Sequence, residues 1–235
     1  MERLARARVI VFGLGGVGSY AVEGLVRSGI GRLTVVDFDE VCVTNLNRQL
    51  HATVRTVGKS KAELMAQRCR EVNPECTVEG VPEFYRAETS EQLLQPGWDF
   101  IVDAIDNVKA KLHLLNRCVQ LGVPVVSSMG AAGRLDPTAI RVDDLCETIM
   151  DPFAKDVRKL LRRKYGVDTE RWTGITAVYS IEPPRTRLER RAWETMSSPR
   201  SRIWPLRRRI MAPSPQRIVS SSSALSTTCL VGGSR

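Results

Sequence analysis

The sequence predicts an α/β fold: a mostly parallel sheet wound with helices, followed by a smaller mixed C-terminal part. Three observations carry this. Short apolar runs alternate with stretches of helical periodicity. Several runs end in glycine or an acid, as parallel strands do where they feed a helix. The 235 residues, 43% of them hydrophobic, can bury the core of one such domain and are too few for two full-sized ones.

Residues 8–12 read as a first buried strand, followed by Gly13-Leu14-Gly15-Gly16-Val17-Gly18. Residues 19–28 carry Ala21, Val22, Leu25 and Val26 at helical spacing, stopped by Gly29. Residues 32–37 read as a second strand ending in Asp37. A helix is expected over 60–72, ended by Asn73-Pro74. Further strands are expected over 76–81, 98–106, 123–128 and 174–180, with a helix over 107–120 before Gly122. Arg134-Leu135-Asp136-Pro137 reads as a turn between short strands. A basic helix spans 151–165, starting at Asp151-Pro152 and stopping at Gly166.

The net charge of +9 lies entirely in residues 183–235, which hold 11 Arg, no Lys and 2 Glu. Arg, Ser and Pro dominate this tail, which is expected to be disordered. A pI argument for nucleic-acid binding would therefore rest on the tail alone. No stretch approaches the ~20 apolar residues that span a bilayer. The charged N-terminus does not read as a signal peptide, and a cytoplasmic location is expected. Cys42, Cys69, Cys76, Cys118, Cys146 and Cys229 form no Cys-x-x-Cys pair, so reduced thiols and no zinc are expected.

A strand, a Gly-x-Gly-x-x-Gly turn and a helix aim backbone N–H groups and a positive dipole end at a phosphate, which makes the sheet Rossmann-like. Gly13, Gly15, Gly16 and Gly18 are the residues concerned. Asp37, closing the second strand, can accept hydrogen bonds from ribose hydroxyls. The bland alternative is a tight turn that only packs helix on strand. The next residues narrow the choice. A hydride-transferring dehydrogenase leaves Asn45, Arg48 and Lys61 without work, whereas an enzyme handling a triphosphate uses such groups on phosphate oxygens. Alone, Lys61 would read as a solvated helix charge. Asp106 can hold Mg²⁺ or a water near the phosphates, or simply cap the following helix beside Asn107.

Gly-x-Gly-Gly-x-Gly, then Asp37-Phe38-Asp39 with Asn45-Leu46 and Arg48-Gln49, then Val57-Gly58 with Lys61, then Ala104-Ile105-Asp106-Asn107 resemble the ThiF/MoeB-like superfamily. Its members adenylate carboxylates with MgATP. Within it, the stretches 127–137, 151–158 and 174–180 resemble the tRNA threonylcarbamoyladenosine dehydratases, over about residues 4–182. The resemblance implies a ThiF-type ATP-binding adenylating domain over 1–182 and ATP-dependent cyclisation of threonylcarbamoyladenosine next to the anticodon. It implies that the four glycines line the phosphates, that Asp37 and Asp39 belong to the nucleotide site, and that Asn45, Arg48 and Lys61 contact phosphate. Asp106 would position the metal or the reacting carboxylate. Arg48, Lys61 and Asp106 would be the catalytic residues. It further implies tRNA as substrate, a homodimer, and room for a monovalent cation and sulfur-transfer proteins. Alternatives are adenylation of a ubiquitin-like sulfur carrier and an inactive nucleotide-binding remnant.

The expected tRNA surface is the basic helix, with Arg158, Lys159, Arg162, Arg163 and Lys164. A solvated helix end favoured by the macrodipole is the alternative. Both chain ends depart from the family pattern: an expected leading arginine has no counterpart, and after residue 182 the family's apolar segment is replaced by the Arg/Ser/Pro tail. We hypothesise a frame change near residue 182. Re-reading the gene in the other frames should uncover a family-like C-terminus; its absence from all frames rejects the idea.

Overall fold

A computed structural model describes residues 2–184; the arginine-rich tail beyond them, with Cys229, lies outside the described residues. A short helix α1 (Glu2–Arg6) leads into β1 (Arg8–Phe12), α2 (Gly18–Arg27) and β2 (Arg32–Val36). Then come α3 (Lys61–Val72), β3 (Thr77–Val81), α4 (Ala87–Leu93), β4 (Phe100–Asp103), α5 (Val108–Leu121) and β5 (Val125–Ser128). β6 (Ile140–Asp144), α6 (Pro152–Tyr165) and β7 (Ile175–Ser180) complete the domain.

The strands form one seven-stranded sheet in the order β3-β2-β1-β4-β5-β7-β6. All neighbours run parallel except β6, which pairs antiparallel with β7 at the edge, Val142 opposite Val178. The expected mostly parallel sheet with a mixed C-terminal part is thus what the chain forms. Alternate residues of β1 serve two cores. Val9 and Val11 pack with α2 and α3 on one face. Ile10 and Phe12 pack with α5 and α6 on the other. Burial on both faces is why these strands read as unbroken apolar runs.

The helix ends follow local chemistry. Ser60 caps α3 through the Glu63 N–H, and Asn107 caps α5 through the Ala110 N–H. Asp151 caps α6 through the Ala154 N–H, with Pro152 in the first turn. Gly122 and Gly166 close α5 and α6 in the left-handed conformation, φ 65° and 69°.

Because β2 and β4 flank β1 on opposite sides, the chain reverses its winding there. A crevice opens above the carboxyl ends of β1 and β4, where ligands bind in such sheets. The glycine turn sits in this crevice. Gly13 has φ 85°, and a Cβ on Gly18 would lie 1.7 Å from the Gly13 carbonyl oxygen. Only a bare backbone permits that approach. Gly18→Ala should therefore destabilise the domain by about 3 kcal/mol or more, read as a lower urea midpoint.

Candidate active site

The crevice forms a cavity of about 720 Å³ walled by the glycine turn, Asp37, Arg48, Lys61, Asp106 and the loop Gly130–Gly133. α2 begins just behind Gly15, Gly16 and Val17, which line the cavity, and has no side-chain cap and no acid in its first turn, so the positive end of its dipole is not cancelled there. A Cβ on Gly15 would meet nothing within 4 Å, which leaves its backbone open to a ligand.

Asp37 is fixed by the backbone. Its Oδ2 accepts from the Leu14 N–H at 2.6 Å and its Oδ1 from the Asp39 N–H at 2.9 Å. Burial nonetheless raises its carboxyl above the usual range, because desolvation outweighs these two bonds and the nearby Lys61 charge. Each oxygen keeps a lone pair for a ribose hydroxyl.

Lys61 is not the solvated charge of a helix start. Its side chain is buried and its Nζ lies 2.7 Å from Asp39 Oδ2. Asn45 is also buried; its Oδ1 accepts from the Cys42 N–H at 2.9 Å, which leaves the amide NH₂ to donate to a ligand. Arg48 is oriented by donating from Nη1 to Thr44 O and to Asn47 Oδ1, both at 3.0 Å. Its stem lies against Gly16, where a Cβ would come within 3.3 Å. No acidic side chain neutralises Arg48 among the described residues. Asp106 is exposed on the wall, and the cap of α5 is Asn107 rather than Asp106. The structure therefore brings Gly13, Gly15, Gly16, Asp37, Asp39, Asn45, Arg48, Lys61 and Asp106 to one cavity, whereas Gly18, expected with them, does not line it and instead packs against the Gly13 carbonyl.

Sequence reasoning missed two buried ion pairs beneath the walls. Lys111 Nζ lies 2.6 Å from Asp103 Oδ2 and donates to Ser127 Oγ at 3.2 Å and Ser128 O at 3.1 Å. Ser127 Oγ donates to the same carboxylate oxygen at 2.6 Å. Arg134 Nη2 lies 3.1 Å from Asp151 Oδ2, while its Nη1 donates to Ser180 O at 2.5 Å and Glu182 O at 2.9 Å. Glu182 in turn accepts from the Leu135 and Asp136 N–H groups at 2.6 and 2.8 Å. These contacts pin the Gly130–Gly133 wall to the end of β7. The glycines there were visible in the sequence; their anchors were not. The aromatic pair Phe38 and Phe84 at the rim, edge to face with centroids 4.8 Å apart, was also missed.

The basic helix needs a correction. Arg158 does not face solvent: its Nη1 donates to the carbonyls of Leu145, Cys146 and Thr148, where it holds a turn together. Arg162 is paired with Glu170. Lys159, Arg163 and Lys164 are exposed. Among the described residues, no cluster of three His, Cys, Asp or Glu groups could hold a metal ion, and no helix is long and apolar enough to cross a membrane.

A glycine turn, a buried acid closing β2, and an amide, guanidinium and ammonium around one cavity define a nucleotide-handling α/β protein. Residues 1–175 match the ThiF family, to which the chain belongs. Its relatives include the tRNA threonylcarbamoyladenosine dehydratases of Haemophilus influenzae and Bacillus subtilis. Each is 45% identical, over 78% of this chain and 71% or 70% of the relative. The crystal structure of Escherichia coli tRNA N6-threonylcarbamoyladenosine dehydratase in complex with ATP superposes with a TM-score of 0.79, at 36% identity, over 98% of this chain and 89% of that one. Within the ThiF family the chain falls among these dehydratases.

His51, near enough to Lys61 to feel its charge, is buried, and neither ring nitrogen has a partner among the described residues. Burial, aided by the Lys61 charge, pushes its pKa down to about 4 from 6.5. The folded state thus favours the neutral ring. Its contribution to stability is complete above pH 6.5 and is lost as pH falls toward 4. Between pH 7 and pH 5 the loss is about 2 kcal/mol. Urea unfolding of His51→Phe should show a stability curve flatter by that amount over this window; an unchanged slope contradicts the assignment.

Proposed function

We propose that the protein uses ATP to dehydrate threonylcarbamoyladenosine in tRNA through a carboxyl adenylate, with residues 1–182 as the adenylating domain. The observation that carries this reading is the convergence of Arg48, Lys61, Asn45 and the glycine turn that leads into α2 on one cavity that also holds Asp106. Relatives named for this activity support it.

The substrate's carboxylate oxygen attacks the α-phosphorus and the bond to the β-phosphate breaks, releasing pyrophosphate. Arg48 and the N–H groups of the glycine turn stabilise the charge that develops on the phosphate oxygens. Lys61, held by Asp39, adds positive potential from beneath. The ureido nitrogen of the same nucleoside then attacks the acyl carbon, loses its proton and expels AMP. The net change is loss of one water from the nucleoside. This closure is intramolecular, so the cavity need mainly orient and exclude water. No described cysteine lines the cavity, which agrees with direct closure rather than a thioester route.

Asp106, exposed and without an ion-pair partner among the described residues, is the carboxylate that would hold Mg²⁺. A hard cation held by one carboxylate and substrate phosphates suits that setting and, when bound, neutralises phosphate charge. The same reading includes a homodimer, a cytoplasmic location, a monovalent cation and sulfur-transfer partners; no described residue is assigned to the last two.

Incubation with ATP, Mg²⁺ and tRNA bearing the threonylcarbamoyl group should remove one water mass from that nucleoside in step with AMP release. Pyrophosphate exchange that needs a sulfur-carrier protein instead of tRNA would support the alternative adenylation. Arg48→Ala should lower turnover about 10²–10³-fold with the circular dichroism spectrum unchanged; undiminished turnover removes Arg48 from the mechanism.

A further inference from the structure

The cations of α6 divide into two sets. Arg158 and Arg162 are engaged by the protein's own carbonyls and by Glu170. Lys155, Lys159 and Arg163, spaced four residues apart, form a separate line along the helix. All three are exposed and make no ion pair among the described residues.

Beside this line runs a groove of about 260 Å³ between the start of α5 and α6. Val108, Phe153, Val157 and Leu160 give it an apolar floor, and Lys159 and Arg163 give it a cationic rim, with Asp156 as its one acid. Phe153 lines both this groove and the large cavity, and its ring lies against Gly130 in the cavity wall. The groove and the cavity thus meet at Phe153, on opposite sides of one side chain.

An apolar floor with a cationic rim suits a single nucleic-acid strand, whose bases seek apolar and aromatic surface while its phosphates seek cations. Lys159 and Arg163 stand about 6 Å apart along the helix axis, a separation that successive phosphates of an extended strand can match. A folded protein partner needs a far larger face, about 800 Å² on each side. A substrate buried in the cavity by one nucleoside must also send its flanking chain out through an opening beside it.

We propose that the groove between α5 and α6 holds the RNA strand flanking the modified nucleoside, with Lys159 and Arg163 on its phosphates and Lys155 continuing the track. This rests on the proposed action on tRNA and specifies where the tRNA lies.

The test is direct binding of fluorescently labelled, unmodified tRNA to the full chain, followed by anisotropy across a range of salt concentrations. The charge reversal Lys159→Glu with Arg163→Glu should weaken binding about tenfold or more and make the slope of log affinity against log salt shallower by about two. Affinity for a fluorescent ATP analogue should not change. Arg6→Glu with Arg32→Glu, an equal change of charge at the amino ends of the strands, away from the crevice, should leave tRNA affinity within about twofold of the parent. Unaltered binding by the α6 variant, or an equal loss in the α1–β2 variant, overturns the groove assignment. A parent protein that binds tRNA through the groove but releases no AMP on modified tRNA overturns the proposed reaction and leaves the groove standing.

Discussion

The buried pair between Asp103 and Lys111 is the contact on which the cavity's shape depends. Both side chains are almost wholly inaccessible, and they meet at 2.6 Å. Asp103 is the last residue of β4 and Lys111 lies one turn into α5; Ser127 and Ser128, which complete the network, end β5. One ammonium thus joins two adjacent strand ends and the helix between them. Desolvating two charges costs several kcal/mol each, so such a pair adds little net stability over an apolar one, and losing one partner is strongly unfavourable. Its effect here is geometric. It holds the loop carrying Asp106 and the loop entering Gly130 at a set separation, and those loops are two walls of the same cavity.

The opposite wall is ordered by different means. Steric contact between bare backbones fixes the glycine turn, and hydrogen bonds from Leu14 and Asp39 fix Asp37. Arg48 is aimed by a carbonyl and an amide rather than by a carboxylate, so its charge is oriented yet not cancelled. Lys61, by contrast, is oriented by a carboxylate. The two cations are therefore not equivalent. One supplies strong, uncompensated potential; the other is a screened charge that also ties α3 to the segment after β2. Orientation completed during folding need not be repeated when ligand arrives, which lowers the entropic cost of binding.

Much of this was legible in the sequence. The central strands stand out because burial on both faces makes them continuous apolar runs, and the glycine turn stands out because its spacing follows a backbone requirement. Asn45, Arg48 and Lys61 were recognisable as a group, though the Asp39 partner of Lys61 was not. α1 and α4 were not assigned, having only five and seven residues, and the partly buried edge strand β6 was expected only as an unbounded short strand beside the turn at 134–137. The ion pairs of Lys111 and Arg134 join residues brought together only by the fold, and no local pattern marks them. α6 read as evenly basic because periodicity says which residues share a line, not which line faces a ring of carbonyls. The tertiary contacts of Arg158 make that distinction.

The anchoring of the Gly130–Gly133 wall bears on the order in which a ribosome can build this protein. The glycine turn, Asp37, Arg48 and Lys61 all belong to the first 61 residues. The guanidinium of Arg134 and the N–H groups after it wait for partners at Ser180 and Glu182. A nascent chain therefore exposes the half that carries the glycine turn long before the facing wall has anything to hold it. Until Glu182 clears the exit tunnel, the chain can present one wall of the cavity with nothing to face it.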